Sequence, residues 1–413
     1  MENAAPDSLV PPSNNVKENV RKEVTPAFLG MLVLAVVVYC VMSAVQPMLM
    51  NNAILPGFGE TLVGCIEGSP ASKLYWFVLD FSQTTFLASV PATVCMIAGA
   101  LIAARLEMAG SSAAGTGVDG NGRIYARLVL ANICSVGLGL LLFGNLYPGF
   151  TGWIPTFAVL LVVQPLLTQF GVAPAKLITG TFVCTLVTFP VTYLIQNYIV
   201  APIGVPLFVA VSMAVVVVVP PLAALFRSLK WMNTPIPESD APEAPPAPSS
   251  PTNFFVNRVF GDVSELSVSG SSISSIAMYI GAIVAWCCNP LEPAYGAGNL
   301  PLLIASQIAV SALSIYVYYP KWKQGGFVFT FAGIVFVSAI VGGYCATGTA
   351  ADFIIAIPTI LVGSVIFVPI IDWVMKAFKF DGSYPAIALI QLGICPVVIV
   401  WALLISHVVL PLL

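Results

Sequence analysis

The sequence predicts an all-α integral membrane protein of about eleven transmembrane helices, arranged one plus five plus five, with the two fives as inverted-topology repeats. Three observations carry that expectation: a composition too apolar for water, eleven apolar stretches of bilayer length, and a one-sided distribution of basic residues. Of the 413 residues, 58% are hydrophobic and only 8% are charged. A soluble domain carries roughly a quarter charged residues. Such a chain cannot cover its own surface with polar groups, so the lipid bilayer is its first partner. A net charge of −3 and the lack of a basic block argue against a nucleic-acid partner.

A span takes about twenty mostly apolar residues. The stretches that qualify are 26–48, 75–105, 125–146, 153–171, 176–199, 203–226, 270–289, 299–319, 326–346, 352–374 and 384–410. Residues 1–25 are polar and too long for the n-region of a cleavable signal, so they read as a cytoplasmic tail. Residues 26–74 then hold the first helix and an external loop. The second stretch is too long for one perpendicular span, which points to a tilted, interfacial or re-entrant start.

Basic residues favour the cytoplasmic side. With the N-terminus inside, Lys17, Arg21, Lys22, Arg105, Arg123, Arg127, Lys176, Arg227, Lys230, Arg258, Lys321, Lys323, Lys376 and Lys379 all fall inside, and only Lys73 falls outside. A wrong span count would scramble this pattern. The expectation is a multi-pass protein of the cell (inner or plasma) membrane, N-terminus cytoplasmic and C-terminus external.

The same count inverts a duplication. Asp80–Ala103 aligns without a gap on Asp262–Ala285, and both open on D-x-S-[Q/E]-x-[T/S]. Later landmarks keep their order: Tyr147-Pro148 then Thr156-Phe157-Ala158, against Tyr319-Pro320 then Thr330-Phe331-Ala332. Pro190 and Pro206 share a spacing with Pro369 and Pro385. The predicted divisions are a first five-helix repeat at 75–230, a Pro-rich cytoplasmic linker at 231–257 and a second repeat at 258–413. Five spans are an odd number, so the second copy enters the membrane upside down. That plan recurs in secondary transporters. The linker reads as a passive, extended tether. The Gly/Ser segment 110–122 reads as a flexible connector, since no strand and no Lys-Ser/Thr accompany its glycines.

Two features could carry chemistry. The first is the polar start of each half: Asp80, Ser82, Gln83, Thr84 and Thr85, and then Asp262, Ser264, Glu265, Ser267, Ser271, Ser274 and Ser275. Carboxylates with hydroxyls suit a hard cation, so Na⁺ is a candidate coupling ion, and a desolvated carboxylate can carry a proton instead. The plainer alternative is a pair of capped helix starts at the interface. The serine stripe can line a solute path or let two helices pack closely. The second feature is the fourth span of each half, with Thr188 and Pro190 in one and Pro358, Gly363 and Pro369 in the other. Mid-helix prolines free a carbonyl, so these positions are candidate helix breaks, with ordinary kinks as the alternative. One histidine and nine scattered cysteines offer no catalytic, metal or cofactor cluster. Cys65 and Cys345 both fall toward the external face, where a disulfide could form.

In plan, the chain resembles transporters with five-plus-five inverted repeats and a broken fourth helix in each half, such as bile-acid symporters and sodium/proton antiporters. The resemblance lies in the plan, and no functional residue carries over from it. It implies a secondary active transporter of a small solute, coupled to Na⁺ or H⁺. A channel for a small solute or ion is the alternative, and a membrane-embedded enzyme fits less well.

Overall fold

A computed structural model describes residues 20–144, 154–242, 249–267, 270–293, 298–324, 327–345, 348–382 and 385–412. These residues form helices and connecting turns, with no strand among them. The long helices are α1 (Thr25–Leu49), α2 (Phe58–Ile66), α3 (Pro70–Leu79), α4 (Val90–Met108), α5 (Tyr125–Phe143), α6 (Ile154–Phe170), α7 (Pro174–Ile195) and α8 (Phe208–Ser228). They continue with α9 (Pro251–Ser264), α10 (Ser272–Cys288), α11 (Leu300–Lys323), α12 (Ala332–Tyr344), α13 (Ala350–Ala377) and α14 (Ile387–Leu404). Among the described residues eight helices are long and apolar enough to cross a bilayer, so the chain is a multi-pass helical membrane protein. Two further apolar helices, α6 and α12, are shorter, and α9 with α10 forms one candidate span bent by 77°.

Local sequence explains the element starts. Proline occupies the first turn of α3, α4, α7, α9 and α11, where its missing N–H costs nothing. Ser89, Ser250 and Ser271 cap α4, α9 and α10 by accepting a hydrogen bond from the amide three residues on. The second apolar stretch is not one helix. α3 ends at Leu79, a 3-10 turn runs over Asp80–Thr85, and α4 starts afresh at Val90. The seventh stretch is one helix, α10, but a matching 3-10 turn at Glu265–Ser267 lies just before it and separates it from α9.

Helix pairings follow one pattern in both parts of the chain. α5 packs on α6 and α7, α6 on α7 and α8, and α7 on α8. In the same way α11 packs on α12 and α13, α12 on α13 and α14, and α13 on α14. The two sets meet where α4 crosses α10 and where α8 lies against α14. α1 stands apart from this pattern and packs on α11, through the stacked rings of Phe28 and Tyr316.

Basic side chains tie one end of the bundle together. Arg21 donates to the Val317 carbonyl, Lys323 pairs with Glu23 at 2.9 Å, and Lys321 pairs with Asp372. The Arg258 guanidinium lies 4.9 Å from the Trp322 ring. Nearby, Lys176 donates to the carbonyls of Phe170 and Thr234, and Arg127 makes a two-pronged contact with Asp240.

Three expectations are corrected here. The described part of the linker is no free tether: Thr234–Asp240 is pinned to α5 and α7 by Lys176, Arg123 and Arg127. Residues 243–248 of it lie outside the described residues, as do Tyr147 and Pro148. The Gly/Ser segment is no loose connector either. It wraps the Glu107 carboxylate, which accepts the amides of Val118, Gly120 and Gly122. The glycines do cradle an anion, and it is the chain's own. Cys65 and Cys345 form no disulfide.

Candidate functional site

The two interrupted helices meet at the centre. α4 and α10 run antiparallel and close together, with a glycine of each helix at the crossing. A Cβ on Gly99 would sit 3.0 Å from the Ser274 Cα and 3.1 Å from the Ile273 carbonyl. A Cβ on Gly281 would sit 2.7 Å from the Ala92 Cα and collide with the Pro91 carbonyl. In the alignment Gly99 matches Gly281, Pro91 matches Ile273 and Ala92 matches Ser274. Each glycine therefore meets the counterpart of what its twin meets, as in a two-fold contact.

The breaks themselves are built alike. Ser82 accepts the Ser89 amide at 3.2 Å and donates to the Ser89 carbonyl at 3.2 Å. Ser264 accepts the Ser271 amide at 3.0 Å and donates to the Ser271 carbonyl at 3.1 Å. One serine thus staples both backbone groups at the end of each break. Asp80 has the Thr156 hydroxyl as polar neighbour, and Asp262 has that of Thr330. These are the matching threonines of the T-F-A landmarks. Between the halves, Thr84 donates to Ser267 at 2.9 Å, and Ser212 of α8 donates to Gln391 of α14 at 2.7 Å.

The structure brings the predicted polar starts together. Asp80, Ser82, Gln83, Thr84 and Thr85 are all buried in the first 3-10 turn. Asp262, Ser264 and Ser267 are buried at the second break, with Glu265 beside them. Ser271 caps α10, Ser274 donates to the Met96 carbonyl of α4 at 2.9 Å, and Ser275 is buried next to it. Within α10, Ser274 of the serine stripe thus lies on the face that packs on α4, whereas Ser264 and Ser267 belong to the break. Gln307 of α11 ties the first turn in: it donates to the Thr85 carbonyl and to Ser338, and accepts from Tyr279.

The predicted helix breaks are corrected. Thr188 and Pro190 lie inside the continuous α7, and Pro358, Gly363 and Pro369 inside the continuous α13. The carbonyl that Pro369 deprives of its helical donor is that of Val365, and it accepts the Tyr318 hydroxyl from α11. A neighbouring helix thus satisfies the group, so no break follows. At Gly363 the two helices come close because Gly333 of α12 has no side chain: a Cβ on Gly333 would meet the Gly363 carbonyl at 2.6 Å. The real interruptions fall at the first helix of each half.

Charge is unequal at the two breaks. Asp262 is paired with Arg258 at 2.6 Å, and the same guanidinium holds Glu265 at 2.8 Å. Asp119, from the loop after α4, joins them through Glu265. Burial pushes the Asp119 carboxyl above its usual range, opposed by Arg258. Asp80 has no such cation, and neither of its buried carboxylate oxygens makes a well-formed hydrogen bond.

Each break is also covered by the segment that follows the other half's long helix. Thr116, after α4, accepts the Ser272 amide at 2.9 Å and donates to the Gly270 carbonyl at 2.6 Å. Glu292, after α10, accepts the Val90 amide at 3.2 Å and the Tyr75 hydroxyl at 2.6 Å. Val90 and Ser272 are matched positions. Sequence reasoning passed over Tyr75, Thr116, Asp119, Arg258 and Glu292. Only Arg258 left a signal, at i, i+4 from Asp262 on one helix.

Comparison of the chain with protein-family models, with curated proteins and with solved structures finds no match.

Proposed function

We propose that this protein is a secondary active transporter of a small solute, coupled to Na⁺ or H⁺, working by alternating access between two inverted-topology repeats. In this reading the eleven apolar stretches are the eleven spans, the end gathered by Arg21, Lys321 and Lys323 faces the cytoplasm, and the protein resides in the cell membrane. The observation that carries it is the antiparallel crossing of two interrupted helices with reciprocal contacts at Gly99 and Gly281. Two copies of one scaffold, inserted oppositely, can exchange conformations, and each exchange opens the opposite side. The paired covers fit this scheme. Thr116 closes one break from the cytoplasmic side, and the Tyr75–Glu292 pair closes the other from the external side.

The assay is spin-label distance measurement in liposomes, on full-length protein with native cysteines replaced. One label pair spans each cover: 116 with 257, and 75 with 291. Alternating access predicts two distances for each pair, with the long form of one accompanying the short form of the other. Both pairs lengthening together would mean a channel. A single fixed distance at each would remove the transport reading.

A further inference from the structure

Between the two 3-10 turns lies a small cavity of about 20 Å³, bordered by Thr84, Tyr125, Asn132 and Ser267 among apolar neighbours. That is room for one water-sized particle. Its polar border is rich in oxygen. The Asn132 Oδ1 is buried and has no hydrogen-bond partner, although the residue is only 3% exposed. The Thr84 hydroxyl spends its proton on Ser267, which leaves its own lone pairs unclaimed. Two C-terminal helix ends, those of α3 and α9, run into these turns and add partial negative charge. Asp80, one turn before Thr84, is fully buried, and no cation from α3, α4, α6 or α9 is paired with it, in contrast to its counterpart Asp262.

We infer that this cavity is a binding site for a single dehydrated Na⁺. Asn132 Oδ1, the Thr84 and Ser267 hydroxyls and the Tyr125 hydroxyl supply oxygen ligands, and Asp80 supplies the balancing charge. Hard cations take such neutral and anionic oxygens, and unwound segments beside helix C-termini are where transporters hold coupling ions. A water molecule would satisfy Asn132 but would bring no positive charge to the two helix C-terminal ends that meet at these turns. As a coupling site the cavity rests on the transporter reading; as a cation site it does not.

The test is thermal unfolding of the detergent-solubilised full chain, titrated with NaCl, KCl or choline chloride at constant total salt. The expected result is a saturable rise in midpoint with Na⁺ alone. Asn132→Leu and Thr84→Val should each weaken the apparent Na⁺ affinity at least tenfold, and Asp80→Asn should do the same. If Asn132→Leu does not fold, Thr84→Val and Ser267→Ala decide. An equal response to all three salts, or a Na⁺ response unchanged in the folded variants, overturns the site. Na⁺ binding without exchange between the two label distances keeps the site and removes transport. Exchange that ignores Na⁺ keeps transport and removes the site.

Discussion

Gly281→Ala should loosen the α4–α10 crossing by an amount that can be worked from the structure. The added Cβ collides with the Pro91 carbonyl and sits 2.7 Å from the Ala92 Cα. Both are backbone, so no side chain can swing away, and the helices must part by about 1 Å to restore ordinary contact. Overpacking of this kind costs about 1–3 kcal/mol, and a rigid backbone contact belongs near the top of that range. Alanine in place of glycine returns about 1 kcal/mol of helix propensity. The net expectation is a loss of about 1–2 kcal/mol. Gly99→Ala meets its nearest atom at 2.9 Å, the Ala277 Cβ, and needs a smaller shift, so its cost and its propensity gain nearly cancel. Gly30→Ala on α1 meets nothing within 4 Å and should be neutral or stabilising. Reversible unfolding in mixed detergent measures all three. The order Gly281, Gly99, Gly30 is the prediction, and a Gly281→Ala protein as stable as the parent would refute the close crossing.

Further expectations concern the covers and the charges. Thr116→Val removes two hydrogen bonds across the second break, each worth about 1 kcal/mol, so amide exchange at Ser272 should speed up roughly thirtyfold. The Asp119 cover should weaken as pH rises. Its folded carboxyl holds its proton more tightly than the unfolded one, so stability falls from about pH 4 upward as Asp119 ionises beside Glu265, Glu107 and Asp262, with Arg258 as the opposing cation. Exchange of segment 110–124, corrected for the chemical rate, would show this; a flat profile would contradict it. Arg258→Met leaves Asp262 and Glu265 buried without their cation and should cost about 3–5 kcal/mol, whereas Arg258→Lys should recover part of that. The linker contact has the opposite pH sign: Arg127 holds Asp240 below the usual carboxylate range, so docking persists through neutral pH and is lost only on acidification below about pH 4. Limited proteolysis near residue 243 reads it out, and Arg127→Ala should expose the linker at all pH values.

Much of the fold was legible because lipid imposes simple rules. Length, apolarity and the placement of lysines and arginines locate helices without reference to packing, and every predicted stretch contains one. The polar starts were legible for a related reason: Asp80 and Asp262 stand out in a chain with few charges. The breaks were misplaced because proline is a local signal and its consequence is not local. Whether the Val365 carbonyl is left bare depends on Tyr318, forty-seven residues away. The actual interruptions have no proline in them and depend on Ser82 and Ser264 offering the backbone an alternative partner. Sequence gives that preference only as a weak turn tendency. The covers over each break were illegible because Thr116 and Glu292 act at long range, on the amides of Ser272 and Val90. The Gly/Ser segment misled for the same reason, since its anchor is a carboxylate on α4 and a backbone more than 150 residues on.

In the proposed transporter the two halves insert oppositely and cross at α4 and α10. Labelling of single cysteines with a membrane-impermeant thiol reagent, in sealed right-side-out and inverted vesicles, addresses it most directly. Arg123→Cys in the first half and Lys379→Cys in the second should react only from the cytoplasmic side, and Lys73→Cys only from the external side. Residues 123 and 379 reacting from opposite sides would contradict the inverted arrangement.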